Sequence, residues 1–159
     1  MRGPVLDLAC GWGRHALAAA QLGARVVALD RNAAALRALV STAKGRSWPV
    51  SGVRTDLEIK SGIPIKSNSF GAILVFRFLF RPLVPALKEA LRPGGLLLYE
   101  TFTEAQRELQ SGPKNPAFLL ASGELQTLFS SLDLLAYEEG LTTGEPVEAL
   151  ARLAARRPG

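Results

Sequence analysis

The sequence predicts a doubly wound α/β fold: a mostly parallel sheet with helices on both faces, finished by an antiparallel hairpin. Three observations predict it. Short apolar runs alternate with alanine- and leucine-rich stretches of helical character along most of the chain. The run Phe70-Gly71-Ala72-Ile73-Leu74-Val75-Phe76 is continuously apolar, the pattern of a central strand covered on both faces. The last two apolar segments, residues 132–138 and 146–155, are joined by a connection containing Gly144, and they read as a hairpin.

The elements follow in order. Residues 4–9 form a buried strand, and Gly11-Trp12-Gly13 turns the chain into a helix over 14–22 that closes near Gly23. Residues 25–30 are the second strand; 33–44 are the second helix, with Asn32 as its N-cap. Residues 48–53 give a short third strand, followed by a turn around Asp56. The central run extends to residue 78, interrupted only at Arg77. A helix over 83–91 is ended by Pro93-Gly94-Gly95, and residues 96–101 are the next strand. A polar, proline-containing excursion then occupies residues 101–120, a length that suits either a substrate lid or a surface loop. Residues 122–129 form the last helix, with Ser122 placed as its N-cap.

Composition bounds the function. The 159 residues carry no repeat, low-complexity tract or linker, so a single domain over 1–159 is expected. No apolar run approaches the ~20 residues that span a bilayer, no signal-peptide pattern opens the chain, and the single cysteine, Cys10, fits a reducing cytoplasm. Net charge is +5 with a pI near 9.9. The basic residues are scattered, apart from Arg152, Arg156 and Arg157, and no aromatic residues interleave with them. A solvated basic surface is therefore expected rather than a nucleic-acid interface. No metal site is expected.

The chemistry concentrates in Asp7-Leu8-Ala9-Cys10-Gly11-Trp12-Gly13-Arg14-His15 and in Asp30 with Arg31. Gly11 can take positive φ and turn backbone N–H groups towards a ligand. The helix beginning near Arg14 offers its positive end to a carboxylate or phosphate. Asp30 lies nineteen positions after Gly11, near the spacing at which an acid meets a ribose diol. Asp7 sits four residues before Gly11, where a carboxylate repels a diphosphate and favours an ammonium or sulfonium. S-adenosylmethionine carries both cations, a carboxylate and a ribose. The segment Gly11-Trp12-Gly13-Arg14-His15-Ala16 also satisfies the nicotinamide-dinucleotide fingerprint, so an NAD-dependent oxidoreductase is an alternative, disfavoured by Asp7 and by the short chain.

With these residues quoted, the segment resembles the first motif of the class I S-adenosylmethionine-dependent methyltransferases, with departures at Ala9 and Arg14 where many members have glycine. The Asp-Leu-Ala-Cys-Gly-x-Gly-Arg-His form resembles the small-molecule branch near the tellurite-resistance and ubiquinone-biosynthesis types. Arg92-Pro93-Gly94-Gly95 matches that family's turn before the fifth strand. The resemblance implies a Rossmann-like sheet of order 3-2-1-4-5-7-6, S-adenosylmethionine as cofactor, and transfer of its methyl group to a small-molecule acceptor. It places the methionine part on Asp7, Leu8, Ala9, Gly11 and Gly13, with His15 near the carboxylate. The ribose falls to Asp30 with Arg31 beside it, and adenine to Asp56 and Leu57. Phe76 stands at the end of the fourth strand, where acceptor and cofactor would meet.

The family often carries asparagine, tyrosine or histidine after that strand; Arg77 and Phe80 depart from this, and no catalytic base is assigned. An Asn/Asp-Pro-Pro-Tyr element for base amino-methylation and a Pro-Cys nucleophile are both missing. Cys10 reads as a packing residue beside the ligand, since no basic partner activates it. Members usually have helices before the first motif, whereas only Met1, Arg2 and Gly3 precede the first strand here. The resemblance therefore implies a site open on one side, with Trp12, Phe78 and Phe80 exposed to a second copy, a partner or the 103–120 loop. A non-catalytic cofactor-binding module completed by a partner is the second reading.

Overall fold

The computed structural model describes residues 3–59, 63 and 65–159; Met1 and Arg2 lie outside them. The first half of the chain is β1 (Val5–Leu8), α1 (Arg14–Gln21), β2 (Val26–Asp30), α2 (Ala33–Gly45) and β3 (Val50–Arg54). The second half is β4 (Phe70–Phe76), α3 (Val84–Ala90), β5 (Leu91–Phe102), α4 (Glu124–Leu128), β6 (Asp133–Leu141) and β7 (Ala149–Arg156). The strands form one seven-stranded sheet in the order β3-β2-β1-β4-β5-β7-β6. Strands β1 to β5 pair in parallel, while β7 runs antiparallel to both β5 and β6. The predicted order and the closing hairpin are both present.

Local sequence explains the elements that carry the site. All four residues of β1 are buried, and β4 is buried along nearly its whole length, as a continuous apolar run demands. Each fully buried leucine there contributes on the order of 1.5–3 kcal/mol. Helix α1 starts from Gly13 at φ +79, and packs Ala16 and Ala20 against the sheet. A Cβ on Gly13 would stand 2.4 Å from Leu39 Cδ1, so glycine is what lets the turn approach α2. Helix α2 opens as expected: Asn32 Oδ1 accepts from the Ala34 and Ala35 N–H groups at 3.0 and 3.1 Å.

Several boundaries differ from the sequence expectation, each for a local reason. Strand β4 stops at Phe76 because Arg77 turns to φ +59. Helix α3 ends at Ala90, before the Pro-Gly-Gly element, and Leu91 is already extended. Arg92-Pro93-Gly94-Gly95 lies inside β5, where the register against β4 shifts between Phe70 and Ala72. Proline cannot donate to a ladder and Gly94 sits at φ +76, so the pair makes an irregularity in the strand rather than a helix stop. Ser122 is not the cap of α4. Gly123 takes that position at φ +71, and the Glu124 carboxylate accepts the Ala121 N–H at 2.8 Å instead.

The two faces of the central strands are covered unequally. Leu97, Tyr99 and Leu153 belong to one core cluster with Leu87, Leu125 and Phe129. On the opposite face Leu96 and Leu98 floor a trough of about 990 Å³ whose wall is the His15, Ala18, Ala19 and Leu22 stripe of α1. Leu98 is 39% exposed there although it sits in a central strand. The expectation for exposed aromatics is corrected accordingly. Trp12 is exposed, but Phe78 and Phe80 pack half-buried against the core, while Leu22, Leu98, Phe118 and Leu134 are among the apolar side chains that are exposed. No helix among the described residues is long and apolar enough to cross a membrane.

Candidate functional site

Where the strand order of an open parallel sheet reverses, as between β1 and β4, a crevice is left outside the carboxyl ends of the strands. Here the crevice is a cavity of about 370 Å³ at the ends of β1, β2, β3, β4 and β5. One end is polar and bounded by Ala9, Asp30, Arg31, Asp56, Leu57 and Glu58. The other is largely apolar and bounded by Arg77, Phe78, Leu79, Thr101, Phe102, Pro113 and Phe118.

The polar end is built by the first βαβ unit. Asp30 closes β2 and braces the glycine turn: its Oδ2 accepts the Gly11 N–H and its Oδ1 the Asn32 N–H, both at 2.8 Å. Each oxygen keeps a further lone pair for a ligand hydroxyl. Gly11 sits at φ +53 with nothing within 4 Å of where a Cβ would lie. Ala9, one of the two departures from the glycine pattern, takes φ +55, a conformation that glycine adopts at lower cost.

Beneath the turn lies Asp7, only 1% exposed, with its Oδ2 lacking any hydrogen-bond partner. A buried, half-satisfied carboxylate is costly to ionise. Burial pushes its pKa up to about 7, with the Ala16 backbone N–H opposing and the charge of Asp30 adding to the rise. An adjacent cation would reverse that cost. The same burial, with Asp7 and Asp30 nearby, pushes the Cys10 thiol up to about 12, so it stays protonated and is no nucleophile.

At the far side of the polar end, Asp56 Oδ1 accepts the Glu58 N–H at 3.0 Å and so shapes the turn after β3. Leu57 is buried beside it, and Arg31 pairs loosely with Glu58 at 3.7 Å across the mouth. Of the residues singled out from sequence, Ala9, Asp30, Arg31, Asp56 and Leu57 share this cavity. Asp7 and Leu8 lie fully buried in β1, and Gly11 and Gly13 form the turn. His15 and Phe76 are placed elsewhere: their rings stack at 3.7 Å and line the open trough beside α1. Burial, with the charge of Arg14 alongside, lowers the His15 pKa.

At the apolar end, sequence reasoning singled out the segment after the fourth strand and the 101–120 excursion but missed the contacts that tie them together. Arg77 donates from Nε to Glu100 at 3.0 Å and from both terminal nitrogens to Glu148 at 2.7 Å, with its guanidinium 4.7 Å from the Phe102 ring centre. Arg152 joins the same cluster through Glu100 and Glu138. The Tyr99 hydroxyl donates to the Phe78 carbonyl at 2.9 Å. The 101–120 excursion is a tied wall. Gln106 is completely buried, donating to the Ser111 carbonyl and accepting the Ala149 N–H, both at 2.7 Å. Lys114 donates to the carbonyls of Gln106, Arg107 and Leu109. Arg81 grips the carbonyls of Ala117 and Leu119 as well as Glu124. Nothing in the sequence marks one glutamine among several as buried; the arginine–glutamate pairs are separated by up to 71 positions.

Comparison with known proteins agrees with this geometry. In solved structures the fold matches TehB of Haemophilus influenzae, with 23% identity over 97% of this chain and 57% of that one and a TM-score of 0.81. It also matches an S-adenosylmethionine-dependent methyltransferase of Mesorhizobium loti, 17% identical over 97% of this chain and 90% of that one, TM-score 0.78. A third match is the S-adenosylmethionine-dependent methyltransferase of Methanosarcina mazei, 16% identical over 98% and 92%, TM-score 0.77. The chain thus spans little more than half the length of TehB. Among curated protein sequences nothing matches. The methyltransferase-domain family matches residues 5–95, from β1 to the Pro-Gly-Gly element, and the chain belongs to that family.

Proposed function

We propose that the chain binds S-adenosylmethionine at the polar end of the cavity and transfers its methyl group to a small acceptor held at the apolar end. The observation that carries this reading is Asp7: a carboxylate 1% exposed, with one oxygen unpartnered, directly below a glycine turn. A buried polar atom left unpaired is rare, and a buried carboxylate whose ionised form a nearby cation would favour suits a positively charged ligand. The rest of the donor set suits the same molecule. Gly11 leaves space above the turn, Asp30 retains lone pairs for a diol, and Leu57 with Asp56 offers an apolar face beside an acceptor for an amino group.

When bound, the sulfonium supplies an electrophilic methyl carbon for in-line displacement. The chain's own contribution is positional. The β1 turn and Asp30 hold one reactant, the tied 101–120 wall holds the other, and Leu79, Phe102 and Phe118 line the cavity beside them. Calorimetric titration with S-adenosylmethionine, S-adenosylhomocysteine and NAD tests the reading. Binding of the first two without the third is expected; NAD binding without S-adenosylhomocysteine would rule it out.

A further inference from the structure

We infer that the acceptor is a small, uncharged, apolar thiol, methylated on sulfur. The inference rests on the proposed function and deepens it, and it comes from what the apolar end of the cavity offers and withholds. Three phenyl rings, Phe78, Phe102 and Phe118, with Pro113, make a surface whose polar members are Thr101 and Arg77. The surface is preorganised. Phe118 rides on a turn gripped by Arg81, the Phe78 carbonyl is held by Tyr99, and Phe102 is backed by the Arg77 guanidinium. Rings held in this way select an apolar body.

Four kinds of nucleophile can then be compared. A carboxylate acceptor needs a cation, but Arg77 already spends three donors on Glu100 and Glu148, and the other cavity cation, Arg31, pairs with Glu58 at the polar end beside Asp30 and Asp56. A hydroxyl must lose its proton during attack, and among the described residues lining this end there is no imidazole, carboxylate or amine to take it. An ammonium would be drawn to the rings and the acidic flank, but it must give up its hydration to enter an apolar surface and has no lone pair while it stays charged there. A thiol escapes all three difficulties. It is neutral when it binds and far more acidic than an alcohol, so a small fraction is thiolate near neutrality without any protein base, and that thiolate is intrinsically very nucleophilic. The thiol proton leaves to solvent before attack. The thiolate sulfur forms the new bond to the methyl carbon while the carbon–sulfonium bond breaks, its electron pair returning to the departing sulfur. A neutral thioether and neutral S-adenosylhomocysteine result.

The test uses four probes of one shape on the intact chain: benzyl mercaptan, benzyl alcohol, benzylamine and phenylacetate. First, each is titrated by calorimetry into protein saturated with S-adenosylhomocysteine. The two neutral probes are expected to bind at least about tenfold more tightly than the two charged ones. Second, each is incubated with S-adenosylmethionine and the products are weighed by mass spectrometry; only the mercaptan is expected to gain a methyl group. In the Phe118→Glu variant, mercaptan affinity should fall about tenfold or more while S-adenosylhomocysteine affinity is retained. Preferred binding of a charged probe, methylation of the alcohol, amine or acid, or turnover of none of the four would overturn the thiol assignment. Each of these leaves the cofactor reading intact provided S-adenosylhomocysteine binds. Failure of S-adenosylhomocysteine to bind would sink both.

Discussion

The two halves of the chain meet at one cavity and treat their polar groups in opposite ways. In the amino-terminal half, Asp7 is buried with one oxygen unpartnered, Asp30 holds the turn with single bonds from each oxygen, and Gly11 faces open space. In the carboxyl-terminal half the charges near the site are matched: Arg77 and Arg152 with Glu100, Glu138 and Glu148, and Arg81 with Glu124. Gln106 and Lys114 are likewise consumed by the backbone. Polar groups satisfied within the fold hold geometry; those left unsatisfied mark where a ligand completes it. On the proposed function, the amino half binds the ligand and the carboxyl half gives the cavity its shape.

The largest test of that assignment is Asp7→Asn. In the folded chain Asp7 titrates near 7, against an ordinary value of 3.8. Between about pH 4 and pH 7 the folded state therefore holds a proton that the unfolded state has released. Its stabilising contribution is complete below about pH 4, is lost as pH rises towards 7, and stays lost above. Without ligand, the wild type should lose on the order of 2–4 kcal/mol of stability across that window, and Asp7→Asn should not. The variant is thus expected to be the more stable ligand-free protein at pH 8 and the weaker binder of S-adenosylmethionine. Urea unfolding at pH 5 and pH 8, with and without ligand, reads both. An unchanged pH slope in the variant would remove Asp7 from the account.

Two further substitutions separate binding from shape inside the amino half. Asp30→Ala removes the acceptor for the Gly11 N–H and the expected partner of the ribose. It should weaken S-adenosylhomocysteine binding by about tenfold to a hundredfold, measured by calorimetry on protein whose circular dichroism is native. Gly13→Ala places a methyl against Leu39 and requires φ +79 of an alanine. It should cost about 1–2 kcal/mol of stability in urea. Gly11→Ala carries the left-handed strain of φ +53 but no clash, since its Cβ meets no protein atom, so it should lose less stability than Gly13→Ala and cost affinity as well. Equal stability losses at the two glycines would contradict the distinction drawn between them.

Those same residues show what was legible in advance. The strand–turn–helix from Val5 to Gln21, Asp30 and the Asn32 cap could be read because their chemistry is local: apolar runs, positive-φ positions and capping oxygens leave marks within a few residues. Sheet order came only through the resemblance to a family, since alternation alone does not order strands. The apolar end of the cavity could be located, after the fourth strand and in the 101–120 excursion, but the contacts that hold it could not be read. Arg77 and Glu148 are 71 positions apart, as far along the chain as an unrelated pair, and the excursion around Gln106 looks polar because its side chains are spent on its own carbonyls. The misplaced Ser122 cap has the same origin: Arg81, 43 positions away, holds Glu124 where it takes the Ala121 N–H, and no local rule sees that arginine.

The smallest expected effect sharpens the comparison from the other side. Glu148→Gln removes one charge from the Arg77 cluster while keeping its shape and an acceptor oxygen. Arg77 retains Glu100 at 3.0 Å, and the Arg77 and Glu148 side chains are 34% and 25% exposed, so water screens much of the lost attraction. Glu148 itself is held below the usual carboxylate range by the hydrogen bond from Arg77, so lowering pH should mimic the substitution in the wild type only under distinctly acid conditions. The stability cost should stay under about 1 kcal/mol, shrinking further as salt is raised. Affinity for S-adenosylhomocysteine should not change, because the cluster borders the apolar end and touches none of Asp7, Gly11 or Asp30. Calorimetry and urea unfolding at two salt concentrations decide it. A fall in ligand affinity of more than about threefold, with stability retained, would mean that charge in the carboxyl half reaches the binding residues of the amino half, and the division between the two would have to be given up.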